Sequence, residues 1–261
     1  MKRKKIAGTW LEYRMIRGSN YSKPTIVFLH EGLGSIAQWR GFPDNVCSAT
    51  GCSGLVYNRA GYGNSSPAKL PRTIDFMHQE GQVVLPELLK KFNVQNAIFV
   101  GHSDGGSIAL IFAANPTIPV HSMVLIAPHV FVEDITVQSI SRAQEEYVRG
   151  NLKSRFAKYH PHTDHTFLSW SNSWLNPEFR KWNIQPFLPE IKIPVLVIQG
   201  EQDEFGTFKQ VEAIQKECSG AVDVVLIPEC GHRPHIEFPE TTLACTIRFI
   251  QQSLSRNAVS T

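Results

Sequence analysis

Short runs of branched, aromatic and small apolar residues recur along this chain, and each run is continuous rather than alternating. The clearest are Thr25-Ile26-Val27-Phe28-Leu29-His30, Gly54-Leu55-Val56-Tyr57, Ala97-Ile98-Phe99-Val100, Met123-Val124-Leu125-Ile126, Val195-Leu196-Val197-Ile198 and Val224-Val225-Leu226-Ile227. A strand wetted on one face alternates apolar and polar residues; a strand covered on both faces need not. Between the runs lie longer stretches with helical spacing: 72–92, with Ile74, Met77, Val84, Leu85, Leu88 and Leu89, and then 104–115, 207–218 and 239–254. Strand–helix–strand alternation with apolar strands predicts an α/β fold, a mostly parallel central sheet flanked by helices. Residues 5–17 are expected to add one or two antiparallel strands.

One segment breaks the alternation. Residues 131–190 separate the strand ending near Ala127 from the one starting near Pro194, too far for a structureless loop in a compact domain. The segment is helical in pattern and rich in aromatics: Tyr147, Phe156, Tyr159, Phe167, Trp170, Trp174, Phe179, Trp182 and Phe187. It is expected to be a helical cap insertion, 131–190, over the C-terminal edge of the sheet. The core domain is then built from 1–130 and 191–261. Most of the aromatics should form the cap's own core, and some should line an apolar pocket. His160-Pro161-His162-Thr163-Asp164-His165 reads as a loop, because of its proline and polar residues, and not as a metal site.

Composition excludes several classes. At 261 residues, 42% hydrophobic and 19% charged, the chain has enough apolar material for one large core. No stretch approaches the ~18 apolar residues of a membrane span. The net charge of +3 comes mostly from Lys2-Arg3-Lys4-Lys5, expected to be a solvated tail. That start imitates a signal peptide, but no apolar stretch follows, which predicts a cytoplasmic protein. No basic stripe with interleaved aromatics suggests nucleic acid. Five cysteines without a Cys-x-x-Cys pair argue for reduced thiols and against a zinc site. The oligomeric state is open, a homodimer included.

Gly101-His102-Ser103-Asp104-Gly105 follows the predicted strand at 98–100 and opens a predicted helix. This is the G-x-S-x-G elbow in its strand–turn–helix setting. Small flanking residues let the turn close tightly and lift the serine oxygen clear, at a helix N-terminus that favours developing anions. A serine hydroxyl needs a base. The expected chain order is Ser, then Asp or Glu, then His. Asp203 follows the strand Val195–Gln199 and is the candidate orienting acid, with Glu201 and Glu204 in reserve. His232, in the loop after Val224–Ile227, is the candidate base. His235, three residues on, should pack beside that loop. An oxyanion hole needs two donors. One should be the N–H of Asp104; the other should come from the loop His30-Glu31-Gly32-Leu33-Gly34-Ser35, with Gly32 first and Leu33 as alternative.

Together these residues resemble the α/β-hydrolase fold family, over about residues 5–254. Asn58-Arg59-Ala60-Gly61-Tyr62-Gly63-Asn64-Ser65 looks like the family's D-R-x-G-x-G-x-S turn, with Asn58 where aspartate is usual. Gly231-His232-Arg233-Pro234-His235-Ile236-Glu237 is similar to its histidine loop. The oxyanion loop departs from the usual His-Gly start, since Glu31 stands between His30 and Gly32; such a carboxylate would need a partner. An aspartate at 103 would imply dehalogenase or epoxide hydrolase chemistry, whereas Ser103 implies acyl transfer to water. The resemblance implies a carboxylic-ester or lactone hydrolase acting on a small substrate with an apolar body, with no cofactor. Carbon–carbon hydrolases of aromatic degradation rank second. They typically carry tryptophan after the histidine and asparagine before the serine, where this chain has Arg233 and His102. A ligand receptor on the same scaffold is the alternative from another class.

Overall fold

The computed structural model describes residues 2–258. Its strands are β1 (Lys2–Ile6), β2 (Thr9–Ile16), β3 (Thr25–Leu29), β4 (Gly54–Tyr57), β5 (Ala97–His102), β6 (Val120–Ile126), β7 (Val195–Gly200) and β8 (Val222–Ile227). They form one sheet in the order β1-β2-β4-β3-β5-β6-β7-β8. Strands β3 to β8 run parallel, while β1–β2 and β2–β4 pair antiparallel.

Successive strand residues point to opposite faces, and the two cores follow that period of two. Val27, Leu29, Phe99, Met123, Leu125 and Val197 pack in one cluster. Ile26, Phe28, Ile98, Val100, Val124 and Ile198 pack in the other. On the first face lie α3 (Leu85–Lys91), α4 (Asp104–Ala114) and α8 (Phe208–Glu217); on the second lie α1 (Phe42–Thr50) and α10 (Pro239–Ala258). Every residue of α4 from Asp104 to Ala113 is buried.

The stretch predicted as one helix over 72–92 starts later, with α2 (Phe76–Gln79), and passes through a π turn, Glu80–Val84, into α3. Ile74 lies outside it and is exposed. The π turn sets Gly81 directly on α4, where an added Cβ would stand 2.9 Å from Ile111 Cγ2.

The expected basic tail is instead the edge strand β1. Register with β2 pairs Lys2 with Tyr13 and Ile6 with Thr9. Ile6 is buried, while Lys4 donates to the Lys91 carbonyl at 2.6 Å and lies over the Phe92 ring. Burial of Ile6 and strand pairing outweigh solvation of the charges, and lysines on an outer strand discourage further strand addition.

Between β6 and β7 come α5 (Asp134–Arg149), α6 (Leu152–Phe156), α7 (Thr163–Trp174) and two 3₁₀ turns, Pro177–Lys181 and Gln185–Glu190. The ends of this insert meet in a Phe131–Asn183 bridge. Tyr147, Phe167, Trp174, Phe179 and Trp182 are buried within it, with Tyr147 stacked on Phe167 at 3.8 Å. The loop expected at 160–165 ends early, because α7 begins at Thr163. Among the described residues no helix is long and apolar enough to cross a membrane.

Candidate active site

Ser103 joins β5 to α4 with φ 52° and ψ −119°. A non-glycine residue there carries strain of order 1–3 kcal/mol, which persists only where surrounding structure imposes it. Here its N–H donates to the Ile126 carbonyl at 2.9 Å, and its carbonyl accepts from Gly106 N at 2.8 Å. The flanking glycines are steric necessities. A Cβ on Gly101 would stand 2.5 Å from the Gly105 carbonyl oxygen, and one on Gly105 would stand 2.0 Å from that of Leu29.

The loops after β7 and β8 are packed backbone to backbone. Gly200 has no room for a Cβ, which would stand 2.2 Å from the Gly231 oxygen. Gln202 N donates to the Cys230 carbonyl at 2.8 Å. Glu237, on α9 (Pro234–Glu237), accepts from Gly231 N at 2.7 Å and Arg233 N at 3.1 Å, holding the residues on either side of His232.

Three side chains from three strand ends converge. Ser103 Oγ lies 2.9 Å from His232 Nε2. His232 Nδ1 lies 2.9 and 2.8 Å from the two oxygens of Asp203. Asp203 also accepts from Phe205 N at 2.8 Å, Gly206 N at 3.2 Å and Gln199 Nε2 at 2.7 Å. Burial would raise the Asp203 pKa, but the His232 charge and these hydrogen bonds bring it down to about 2. Burial would likewise lower His232, but the Asp203 charge and hydrogen bond outweigh it and raise the imidazole above its ordinary value. With Nδ1–H donated to the carboxylate, Nε2 is free to accept the serine proton.

Of the reserve acids, Glu201 is exposed, and the Glu204 carboxylate accepts from the backbone N–H of His232 at 3.3 Å, while the imidazole bonds Asp203. His235 is buried against Trp39 and His102 beneath the loop.

Glu31 is the unexpected carboxylate of the loop 30–35 that follows β3. Its Oε2 lies 3.3 Å from His102 Nδ1, and His102 Nε2 donates to the His232 carbonyl at 2.8 Å. Burial opposes ionisation of Glu31, yet the hydrogen bond and charge of His102 hold it far below the usual carboxylate range. A chain of contacts thus runs from the loop 30–35 through the residue before Ser103 to the loop of His232. Gly34 leaves the room: a Cβ there would stand 2.1 Å from Glu31 Oε2.

A cavity of about 520 Å³ opens on Ser103 and His232; Gly32, Leu33 and Asp104 line it, as do Trp170 and Trp174 of the insert. Gly32 is pinned by the insert, since its added Cβ would stand 2.2 Å from Trp170 Nε1. The histidines of 160–165 do not converge on one point. His160 accepts from Gly63 N at 3.0 Å and donates to the Leu33 carbonyl at 3.0 Å, while His165 donates to the Ala68 carbonyl.

Asn58 serves structure: it accepts from Ile36 N at 2.7 Å and donates to Glu12 at 2.6 Å. Sequence reasoning missed His129, which is buried on the cavity wall with its ring 5.5 Å from that of His232. Burial first, and the charge of His232 second, push its pKa down to about 3, so it is neutral. It lies just beyond the end of β6, the same strand-end signal that singled out Asp203 and His232.

Known proteins share this fold. The family model of the alpha/beta hydrolase fold matches residues 24–185. The human serine hydrolase BPHL is 25% identical over 196 residues, covering 71% of this chain and 65% of that protein, so the chain spans just under two thirds of that relative. The sn-1-specific diacylglycerol lipase ABHD11 of Danio rerio is 24% identical, covering 92% of this chain and 82% of its own length. Among solved structures, the enol-lactonase from Burkholderia xenovorans LB400 superposes with a TM-score of 0.74 at 20% identity, covering 95% of this chain and 99% of that one.

Proposed function

The chain belongs to the α/β-hydrolase fold family, and from that premise we propose that it is a serine hydrolase that cleaves a carboxylic ester or lactone through an acyl-enzyme. One observation carries the reading: Oγ of Ser103 lies 2.9 Å from an imidazole whose other nitrogen faces Asp203 at 2.8 Å. Names among similar proteins include a serine hydrolase, a lipase and an enol-lactonase, which supports a substrate class spanning esters and lactones.

In this reading Ser103 Oγ attacks the carbonyl carbon while His232 Nε2 takes its proton. Asp203 stabilises the imidazolium. The N–H groups of Asp104 and of Gly32 or Leu33 stabilise the oxyanion. His232 then gives its proton to the leaving oxygen, and water, activated by the same imidazole, hydrolyses the acyl-enzyme. Residues 131–190 act as a cap whose aromatic wall receives the apolar body of the substrate. The scheme uses no metal or cofactor.

The test is turnover of p-nitrophenyl esters of graded chain length and of lactones by wild type and Ser103→Ala. The variant should lose roughly 10⁴-fold or more in kcat. A fluorophosphonate should label Ser103 in wild type. Undiminished turnover by the variant overturns the assignment. Saturable stabilisation by a ligand that is never turned over would favour a receptor.

A further inference from the structure

We infer that Arg59 is the positioning residue of the oxyanion hole, aiming the N–H of Gly32 rather than that of Leu33 at the reacting carbonyl; the inference rests on the serine-hydrolase reading above. Arg59 is only 1% exposed, although it carries a permanent charge. Its Nη1 donates to the His30 carbonyl at 2.6 Å and its Nη2 to the Glu31 carbonyl at 3.0 Å. Both carbonyls belong to the loop that follows β3. The Glu31 carbonyl also accepts from Gly34 N at 3.1 Å and His30 Nδ1 at 2.7 Å. Its direction is therefore fixed from three sides.

That direction determines where the next N–H points. In a trans peptide the carbonyl of Glu31 and the N–H of Gly32 belong to one planar unit and point opposite ways. The carbonyl is drawn inward to the buried guanidinium, so the N–H of Gly32 faces outward, and Gly32 lines the cavity at Ser103. Donation to the carbonyl also polarises the unit and strengthens its N–H as a donor.

The second donor is tied to the same guanidinium. The Asp104 carboxylate is buried, and its Oδ2 lies 3.7 Å from Arg59 Nη2. A bare carboxylate beside the oxyanion would oppose the charge that develops there. Arg59 offsets it while holding the opposite wall of the hole. The planar fork suits this task, because one group meets two carbonyls and a carboxylate; a lysine, as a point charge, does not reproduce it.

The experiment compares wild type, Arg59→Lys and Arg59→Gln on the best ester. Readouts are kcat, KM, melting temperature and the affinity of a trifluoromethyl ketone, which forms a tetrahedral oxyanion adduct on the serine. Loss of one oriented donor should lower kcat roughly 10²–10³-fold, as removal of an oxyanion-hole donor does elsewhere. KM should hold, and ketone affinity should fall in parallel with kcat/KM, since only the transition state uses the donor. Arg59→Lys should recover part of the loss, through charge alone. Folded variants that turn over at the wild-type rate, or that lose activity through KM with ketone affinity intact, overturn the inference. Should the variants fail to fold, wild type labelled with ¹⁵N-glycine decides it. On adduct formation the Gly32 amide proton should move downfield; a Gly32 proton that stays in place in a formed Ser103 adduct overturns the role of Arg59 and leaves the serine reading intact. Absence of any adduct at Ser103 removes both.

Discussion

The imidazole of His232 has opposing influences on its proton, and their balance sets the pH dependence. Asp203 outweighs burial, so the folded value lies above the ordinary 6.5. Neutral imidazole is the base in the proposed scheme. Hence kcat/KM should rise with pH along an acid limb centred above 6.5. In Asp203→Asn the attraction is gone and burial remains. The limb should then move to lower pH, with kcat down by roughly 10⁴-fold. A pH–rate profile of both proteins checks this; a limb that does not move contradicts the pairing. Stability follows the same signs. Asp203, held at about 2, contributes above its ordinary value of 3.8 and loses that contribution as pH falls through the folded value; His232 contributes below 6.5 and loses it as pH rises through the raised one. Denaturation midpoints of wild type and Asp203→Asn should differ most between those two ordinary values.

The unit formed by β5, the turn at Ser103 and α4 is rigid because backbone meets backbone. Gly105 lies against the end of β3, with the Leu29 oxygen 2.0 Å and the His30 oxygen 2.8 Å from where a Cβ would be. No flexible side chain is present to yield. Gly105→Ala should therefore destabilise the fold by about 3 kcal/mol or more, at or beyond the upper end of ordinary overpacking. It should also abolish fluorophosphonate labelling, since α4 can move away only by carrying Ser103 with it. Urea unfolding and mass spectrometry of the labelled peptide measure the two effects. Gly8, with nothing within 4 Å of its added Cβ, is the steric contrast, although its φ of +81° strains any substitution.

Across the whole molecule, the insert is fastened to the sheet domain through a few buried polar links. His160, 1% exposed, joins Gly63 of one core loop to Leu33 of the loop after β3. Thr166 also donates to the Gly61 carbonyl at 2.6 Å. His160→Ala leaves the buried N–H of Gly63 and the part-buried carbonyl of Leu33 without this partner. It should lower stability by about 1–3 kcal/mol and raise KM more than it lowers kcat, because it loosens the cavity wall and leaves Ser103 and His232 in place. Chemical denaturation and steady-state kinetics test both; faster hydrogen exchange at Gly63 should accompany them.

Sequence alone determined the α/β class, and it pointed to helices within 131–190 and to the side chains at 103, 203 and 232 that the fold brings within hydrogen-bond reach. Strand burial, turn chemistry and strand-end position are local signals, and the elbow's glycines are demanded by the turn itself. It expected one or two antiparallel strands over 5–17 but did not start the edge strand at Lys2, because pairing with β2 and burial of Ile6 are long-range gains that charge composition does not reveal. Nor did it find the ties of Glu31 to His102 and of Arg59 to the carbonyls of His30 and Glu31. Those partners are separated in the chain and meet only after the sheet has set its strand order. A hydrogen bond requires direction as well as proximity, and direction belongs to the folded backbone. The sequence supplied the groups able to react; the tertiary structure decided which of them face one another.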